Sequence, residues 1–340
     1  MLFGRQIFLG ALLATPLLMT GAQAQEQSNV RMLMDWIIAV QHSPFLIADQ
    51  KGYFEEEGIT AKIDPGKGSG FAAINTANGV YDFGWGDLTT MLKFNVENPG
   101  SELVIVYQSV DATALAVVAA GDRGIETPAD LNGKKINGTP GGVGFDTIGL
   151  LLDGAGVPDV KLEWVTASPE LIPSMIVRGD MDGTTGYTFT QAPVLLDAGL
   201  KADDIKIIKY SDYNVDIYGP ALFTTRAYAE ANPETVKAVV KAVNRGTLDM
   251  LSNPQEAYDA LQTFDPLMVP TTEEYRMGLL RQHMLTESVQ EKGIGAVDDA
   301  RMQHSVDLMR EVFDWEPIAA SEVYSNDFLP PVEERMVPKS

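Results

Sequence analysis

The sequence predicts an α/β chain of two lobes, each a mixed, mostly parallel sheet flanked by helices. Two observations predict it. Short apolar runs alternate with capped, amphipathic helical stretches, and the alternation restarts near residue 114 before long helices take over beyond residue 225. The length, 340 residues, with 45% hydrophobic and 21% charged, suffices for two lobes.

The elements follow in order. Arg31–Asp35 reads as a strand entering a loop to Gln41. Ser43 as N-cap, Pro44 at the first helical position and Gly52 as the stop predict a short helix. Ile59–Pro65 is a strand, Gly66–Gly70 a loop, and FAAINTANG a helix ending at Gly79. Tyr81–Asp87 is a strand edge and Glu102–Ser109 an apolar strand. The second round starts with the strand Ala114–Ala120 and a turn capped by Thr127 and Pro128. A strand end, a glycine loop and a helix follow in INGTPGGVGFDTIGLLLDGAG. After Ile217–Thr225, ANPETVKAVVKAVNRGTLDML is a long amphipathic helix, with Asn232 as cap and Pro233 in the first turn. The lobes are expected at residues 28–116 plus 224–340 and at 117–223. Two crossings, near 116–120 and 220–225, permit a hinge that closes around a ligand.

The first residues stand apart. Arg5, an apolar run from Ile7 to Met19 and the small-x-small sequence Ala22-Gln23-Ala24 read as a signal peptide over residues 1–24. The run is short for a membrane anchor and no basic stop-transfer cluster follows. A periplasmic location, without membrane insertion after cleavage, is the expectation.

The formal charge is −22, which repels nucleic acid and anionic lipid. There are no cysteines, so disulfide and thiolate chemistry are excluded. The three histidines, His42, His283 and His304, lack metal-site spacing. No metal or cofactor is expected.

Five loops are candidates, because ligands of open α/β sheets gather beyond the carboxyl ends of strands. The first holds Asp35, Trp36 and His42. A Trp ending a strand is often a core lid, and a lone His is often a structural hydrogen-bonding group. The second, Gly66-Lys67-Gly68-Ser69-Gly70, would aim amides at a helix start, yet lacks P-loop order, and a flexible turn explains it as well. In the third, Gly84-Trp85-Gly86-Asp87, the glycines allow close backbone approach, and Asp87 either accepts from an amine or caps the next helix. The fourth, Thr139 to Phe145, offers amides at Gly141 and Gly142 to an anion or carbonyl, and does not match the dinucleotide fingerprint. The fifth, Gly186 to Gln191, brings Tyr187, and with Asp216 and Tyr218 gives the second lobe an aromatic wall. No catalytic set emerges.

These motifs carry a resemblance. DWIIAVQHSPFLIADQKGYFEEEGI, GKGSG, YDFGWGD, TPADLNGKKI, RGDMDG and ANPETVKAVVKA occur in this order over about residues 30–265. The chain resembles periplasmic solute-binding proteins of ABC importers, in the branch related to thiamine-pyrimidine, sulfonate and nitrate binders. The resemblance implies a two-lobed type II binding-protein fold and a ligand between the lobes. It also implies a permease and its ATPase as partners, no catalysis, and a monomer. The superfamily includes the fungal thiamine-pyrimidine synthase, whose pyridoxal phosphate lysine falls at Gly86, whose histidine falls at Thr90, and whose cysteine motif falls at Ile217–Phe223. All three features are missing here.

The candidate contacts are Asp35, Trp36, His42, Lys67, Ser69, Trp85, Asp87, Gly141, Gly142, Phe145, Tyr187, Asp216 and Tyr218. Aromatic faces suit a flat ring and carboxylates suit N–H donors, which favours a small nitrogen heterocycle such as an aminopyrimidine. The counter-case is an organic sulfonate, nitrate or carboxylate held by Lys67, His42 and the Gly141–Gly144 amides. A secreted enzyme using His42 with Asp87, or a ligand-presenting sensor subunit, are readings of other classes.

Overall fold

A computed structural model describes residues 28–338, together with Met1. The expected signal peptide lies outside the described residues apart from Met1. Ten strands form two sheets of five. They are β1 (Ser28–Leu33), β2 (Ile59–Asp64), β3 (Phe83–Gly86), β4 (Leu103–Tyr107), β5 (Leu115–Ala120), β6 (Lys135–Asn137), β7 (Glu163–Val165), β8 (Gly183–Tyr187), β9 (Ile205–Lys209) and β10 (Ala221–Thr225).

The sheets repeat one pattern. The orders are β2-β1-β3-β10-β4 and β7-β6-β8-β5-β9. In the first, β1 pairs in parallel with β2 and β3, while β10 runs antiparallel between β3 and β4. In the second, β6 pairs in parallel with β7 and β8, while β5 runs antiparallel between β8 and β9. The reversed strand is in each case the first one after the chain changes sheet. The chain passes between sheets over residues 108–114 and 210–220, so the expected second lobe, 117–223, starts inside β5 and ends inside β10.

Burial explains the apolar runs. Every residue of β4 and of β5 is buried. β5 is an inner strand, whereas β4 is an edge strand whose outer side is covered by the C-terminal segment, Ile105 N–H donating to the Val323 carbonyl at 2.9 Å. The Pro233–Ser252 helix buries Val236, Val239, Val240 and Val243 on one stripe. It lies close against the Ser43–Gln50 helix because Gly246 has no side chain to strike the Pro44 carbonyl. One core joins both lobes, and a smaller one with Ile176, Met181 and Leu195 covers the far face of the second sheet.

Two expected caps are corrected. The first helix starts at Ser43 itself, whose hydroxyl donates backwards to the Val40 carbonyl at 2.8 Å. Asn232 makes no side-chain cap, and its amide donates to the Tyr228 carbonyl instead. Gly52 does end its helix in the left-handed region, at φ 75°.

The C-terminal helices were expected with the first lobe. The Pro270–Met284 helix spans both. Its Glu273 accepts from Val40 N–H at 2.9 Å, and its Arg276 donates to the Phe189 carbonyl at 2.6 Å. Glu273 and Arg276 pair with each other at 3.1 Å, both buried.

Candidate functional site

Three of the five loops form one hydrogen-bonded chain in the first lobe. Ala39 N–H donates to His42 Nδ1 at 3.3 Å, so that nitrogen carries no proton. His42 Nε2–H therefore donates to Asp35 Oδ1, at 3.0 Å. Asp35 Oδ2 accepts from the Ser69 hydroxyl at 3.3 Å, and Ser69 Oγ accepts from Asp87 N–H at 3.1 Å. All of these side chains are buried. The His42 ring meets Trp85 edge to face, with centroids 4.9 Å apart.

Asp87 has two jobs. Its Oδ1 caps the Leu88–Glu97 helix, accepting from Thr89 N–H at 2.8 Å and Thr90 N–H at 3.3 Å. Its Oδ2 is buried and has no partner among the described residues. Burial dominates its ionisation and pushes the pKa up to about 6, against the pull of the capping bonds.

The second lobe reaches this carboxylate. The Tyr187 hydroxyl approaches Ser69, Asp35 and Asp87, and burial together with those acids holds its pKa well above the usual value. Tyr187 stacks on Phe189 at 5.2 Å. Tyr210 feels the charge of Asp87 as well. The Tyr187 and Tyr210 hydroxyls, Trp85 Nε1 and Thr89 Oγ1 are all buried without a partner among the described residues. Polar atoms of both lobes thus gather around one acid, and the Thr89 and Tyr187 hydroxyls lie near enough to favour its charged form. Buried polar groups are nearly always bonded, which makes this concentration the candidate site.

The lobes are also latched at the surface. Lys93 of the Leu88–Glu97 helix meets Asp146 of the Val143–Gly154 helix at 2.9 Å.

Asp35, His42, Ser69, Trp85, Asp87 and Tyr187 are brought together. Several expectations are corrected. His42 is fully buried with its ring nitrogens bonded to Ala39 N–H and to Asp35, so it orients Asp35 and offers no free ring nitrogen to a ligand. Two amides of the glycine loop turn inward and not towards the helix start. Gly66 N–H donates to the Trp36 carbonyl at 3.0 Å and Gly68 N–H to the Asp35 carbonyl at 2.5 Å. Gly66 is needed there, because a Cβ would strike the Met34 carbonyl. Lys67 is exposed and lies over the Phe71 ring, 5.9 Å from its centroid. Gly142 N–H is bonded to the Thr139 carbonyl at 2.8 Å and Gly141 N–H to Asp146 at 3.3 Å, so neither amide is free for an anion. Trp36 is half-buried beside the first loop, and half-buried Phe145 packs against Trp164 with centroids 4.7 Å apart.

Asp216 and Tyr218 belong to another cluster. Arg301 pairs with Asp216 at 3.0 Å and with Asp111 at 2.9 Å, its guanidinium 4.3 Å from the Tyr218 ring centroid. The Tyr218 hydroxyl accepts from Asp298 N–H. Asp111 lies in the first crossing and Asp216 in the second, so one guanidinium ties both.

Sequence reasoning missed Tyr210, Thr89, the Lys93–Asp146 latch and Glu273 with Arg276. The last pair had a signal, an acid and a base three apart on a predicted helix. The others had none, since their meaning depends on how the lobes meet.

Among the described residues no group of three or more His, Cys, Asp or Glu could hold a metal, and no helix is long and apolar enough to cross a membrane. The site does not fit pyridoxal phosphate. Gly86 offers no amine, and a Cβ there stands 3.1 Å from the Ser69 side chain, so a lysine would force Ser69 aside.

Comparison with known proteins places this geometry. Residues 39–257 match the family model described as NMT1/THI5 like. The formylaminopyrimidine-binding protein of Halalkalibacterium halodurans is 25% identical, over 90% of this chain and 92% of its own. The 4-amino-5-hydroxymethyl-2-methylpyrimidine phosphate synthase of Aspergillus parasiticus is 27% identical, over 71% and 72%. Among solved structures, the alkanesulfonate-binding protein SsuA of Xanthomonas axonopodis pv. citri bound to MOPS superposes with a TM-score of 0.64 at 16% identity, over 89% of this chain and all of its own. That likeness carries the fold, which is the two-lobed periplasmic binding-protein fold.

Proposed function

The chain belongs to the NMT1/THI5-like family, and on that premise we propose that it is the extracytoplasmic binding component of an ABC importer, closing on a small nitrogen heterocycle for delivery to a permease. The observation that carries the ligand class is Asp87. Its unpartnered, buried oxygen lies beside Trp85 and opposite Tyr187, where an amino or ring N–H donor would complete it. Such a charge-assisted bond is about twice as strong as a neutral one. Aromatic neighbours add roughly 0.5–1.5 kcal/mol per stacked pair. The sulfonate, nitrate or carboxylate alternative keeps only part of its contacts, since Lys67 lies at the exposed edge and the Gly141 and Gly142 amides are engaged, which leaves the Val143 and Gly144 amides at the helix start.

The protein acts as a binder and not as an enzyme. Gly86, Thr90 and Ile217–Phe223 lack the synthase's groups, and His42 has no free nitrogen to serve as a base. The test is a thermal-shift panel of aminopyrimidines, flavins, taurine, alkanesulfonates and nitrate, with turnover followed in parallel. Stabilisation by aminopyrimidines without turnover is expected. A response to sulfonates or nitrate alone, or catalytic conversion of a pyrimidine, would overturn it.

A further inference from the structure

A cavity of about 420 Å³ lies away from the cleft, among residues Ser288–Asp298, Asn326, Val332 and Arg335. Arg335 is unusual within it. The residue is only 5% exposed, yet no carboxylate pairs with it among the described residues. Its Nε donates to the Pro330 carbonyl and its Nη1 to the Ile294 carbonyl, both at 2.9 Å. Those two bonds leave Nη2 without a partner among the described residues, and Arg335 lines the cavity. Burial lowers its pKa, and no acid among the causes offsets that. Buried charges are normally paired, because desolvation without compensation costs several kcal/mol. The fork of a guanidinium matches an oxyanion.

We infer that the cavity beside Arg335 is a second binding site, separate from the inter-lobe cleft, for a small oxyanion of the carboxylate or phosphate type. Arg335 supplies the charge and Ser288 a hydroxyl at the wall. Two acids on the rim, Glu291 and Asp298, limit the affinity. Asp298 is already paired with Lys292 at 2.9 Å, which leaves Glu291 as the opposing charge.

The test uses the full chain at constant ionic strength, with inorganic phosphate and acetate each titrated against chloride. Amide resonances are followed by NMR. Saturable shifts at Gly293, Ala296, Val297 and Asn326 are expected with at least one anion, and which anion saturates at lower concentration distinguishes the two types. Arg335→Gln should raise the dissociation constant at least about tenfold, the loss of a charge-assisted contact. Should that variant fail to fold, Val332→Trp fills the cavity and keeps the arginine, and should abolish the shifts. Glu291→Gln should tighten binding by roughly two- to threefold, as removal of one part-exposed like charge allows. No saturable shift in the natural protein would overturn the site. So would shifts confined to the cleft loops, or equal affinity in the Arg335→Gln and Val332→Trp variants.

Discussion

Lys93 of the first lobe and Asp146 of the second stand 2.9 Å apart, nitrogen to oxygen, joining the Leu88–Glu97 and Val143–Gly154 helices. Their side chains are 30% and 15% exposed, so the pair is only partly screened. Lys93→Met should weaken ligand binding by up to roughly fivefold, the range of a part-exposed ion pair. The change should sit in the dissociation rate, because an ion pair that joins the two lobes opposes their separation. Stopped-flow release of a bound aminopyrimidine checks this. An unchanged release rate would leave the latch without a role in retention.

The His42–Asp35 pair is a stability element. His42→Ala leaves a buried carboxylate with one partner and should cost roughly 2–3 kcal/mol. His42→Gln keeps a donor and should cost less. Urea denaturation of the two variants measures the difference.

Asp87 gives a pH signature with a definite sign. Its pKa in the folded chain is about 6, above its ordinary value of 3.8. Folding favours the protonated acid, so its contribution is full below about pH 4 and is lost as pH rises through 6. The loss is on the order of 3 kcal/mol. Asp87→Asn keeps the helix cap and should remove this loss. The difference between the two stability curves, from pH 4 to 7, isolates it.

His283 works in the opposite direction. Burial, aided by the Lys209 charge, lowers its pKa to about 4 from 6.5. Its contribution is full above about pH 6.5 and is lost as pH falls through 4. Asp87 and His283 therefore oppose each other between pH 4 and 6.5. The natural protein should show a shallow slope there, and His283→Gln should expose the falling limb due to Asp87. A slope unchanged by that substitution would remove His283 from the balance.

Arg301 should matter through Asp111 more than through Asp216. The Asp111 side chain is 4% exposed and that of Asp216 is 65%. Arg301→Gln should destabilise by roughly 2–3 kcal/mol, since it strands a buried acid that keeps only the Thr286 hydroxyl. Asp216→Asn should change stability by less than about 0.5 kcal/mol. If the guanidinium restrains the hinge, Arg301→Gln should also broaden the distance distribution between spin labels on the two lobes. An identical distribution would confine Arg301 to stability.

Much of the fold was legible because local signals agreed with it. Alternating apolar runs marked every strand of the first sheet up to β4, and Gly52 and Asp87 behave as the local chemistry predicts. The antiparallel placement of β5 and β10 was not legible, because a buried strand reads the same in either direction. The site was half legible. Asp35, Ser69, Trp85, Asp87 and Tyr187, which cluster at the candidate site, were named from loop chemistry, while the hydrogen bonds that join them were not. Lys67 and the glycine amides misled for one reason. A charge or an N–H in a loop says nothing about which neighbour it turns towards. The Gly66 and Gly68 amides turned to the first loop, a partner 30 or more residues away.

The position of β10 bears on how the chain assembles during synthesis. β3 and β4 are not neighbours, because β10 lies between them and bonds to both. The second sheet is complete once residue 209 has been made, whereas the first waits for residues 221–225. A ribosome therefore releases the later-encoded sheet as the earlier-finished one. Until then β3 and β4 stand with unpaired edges, which leaves the first lobe as the last to become resistant to proteases.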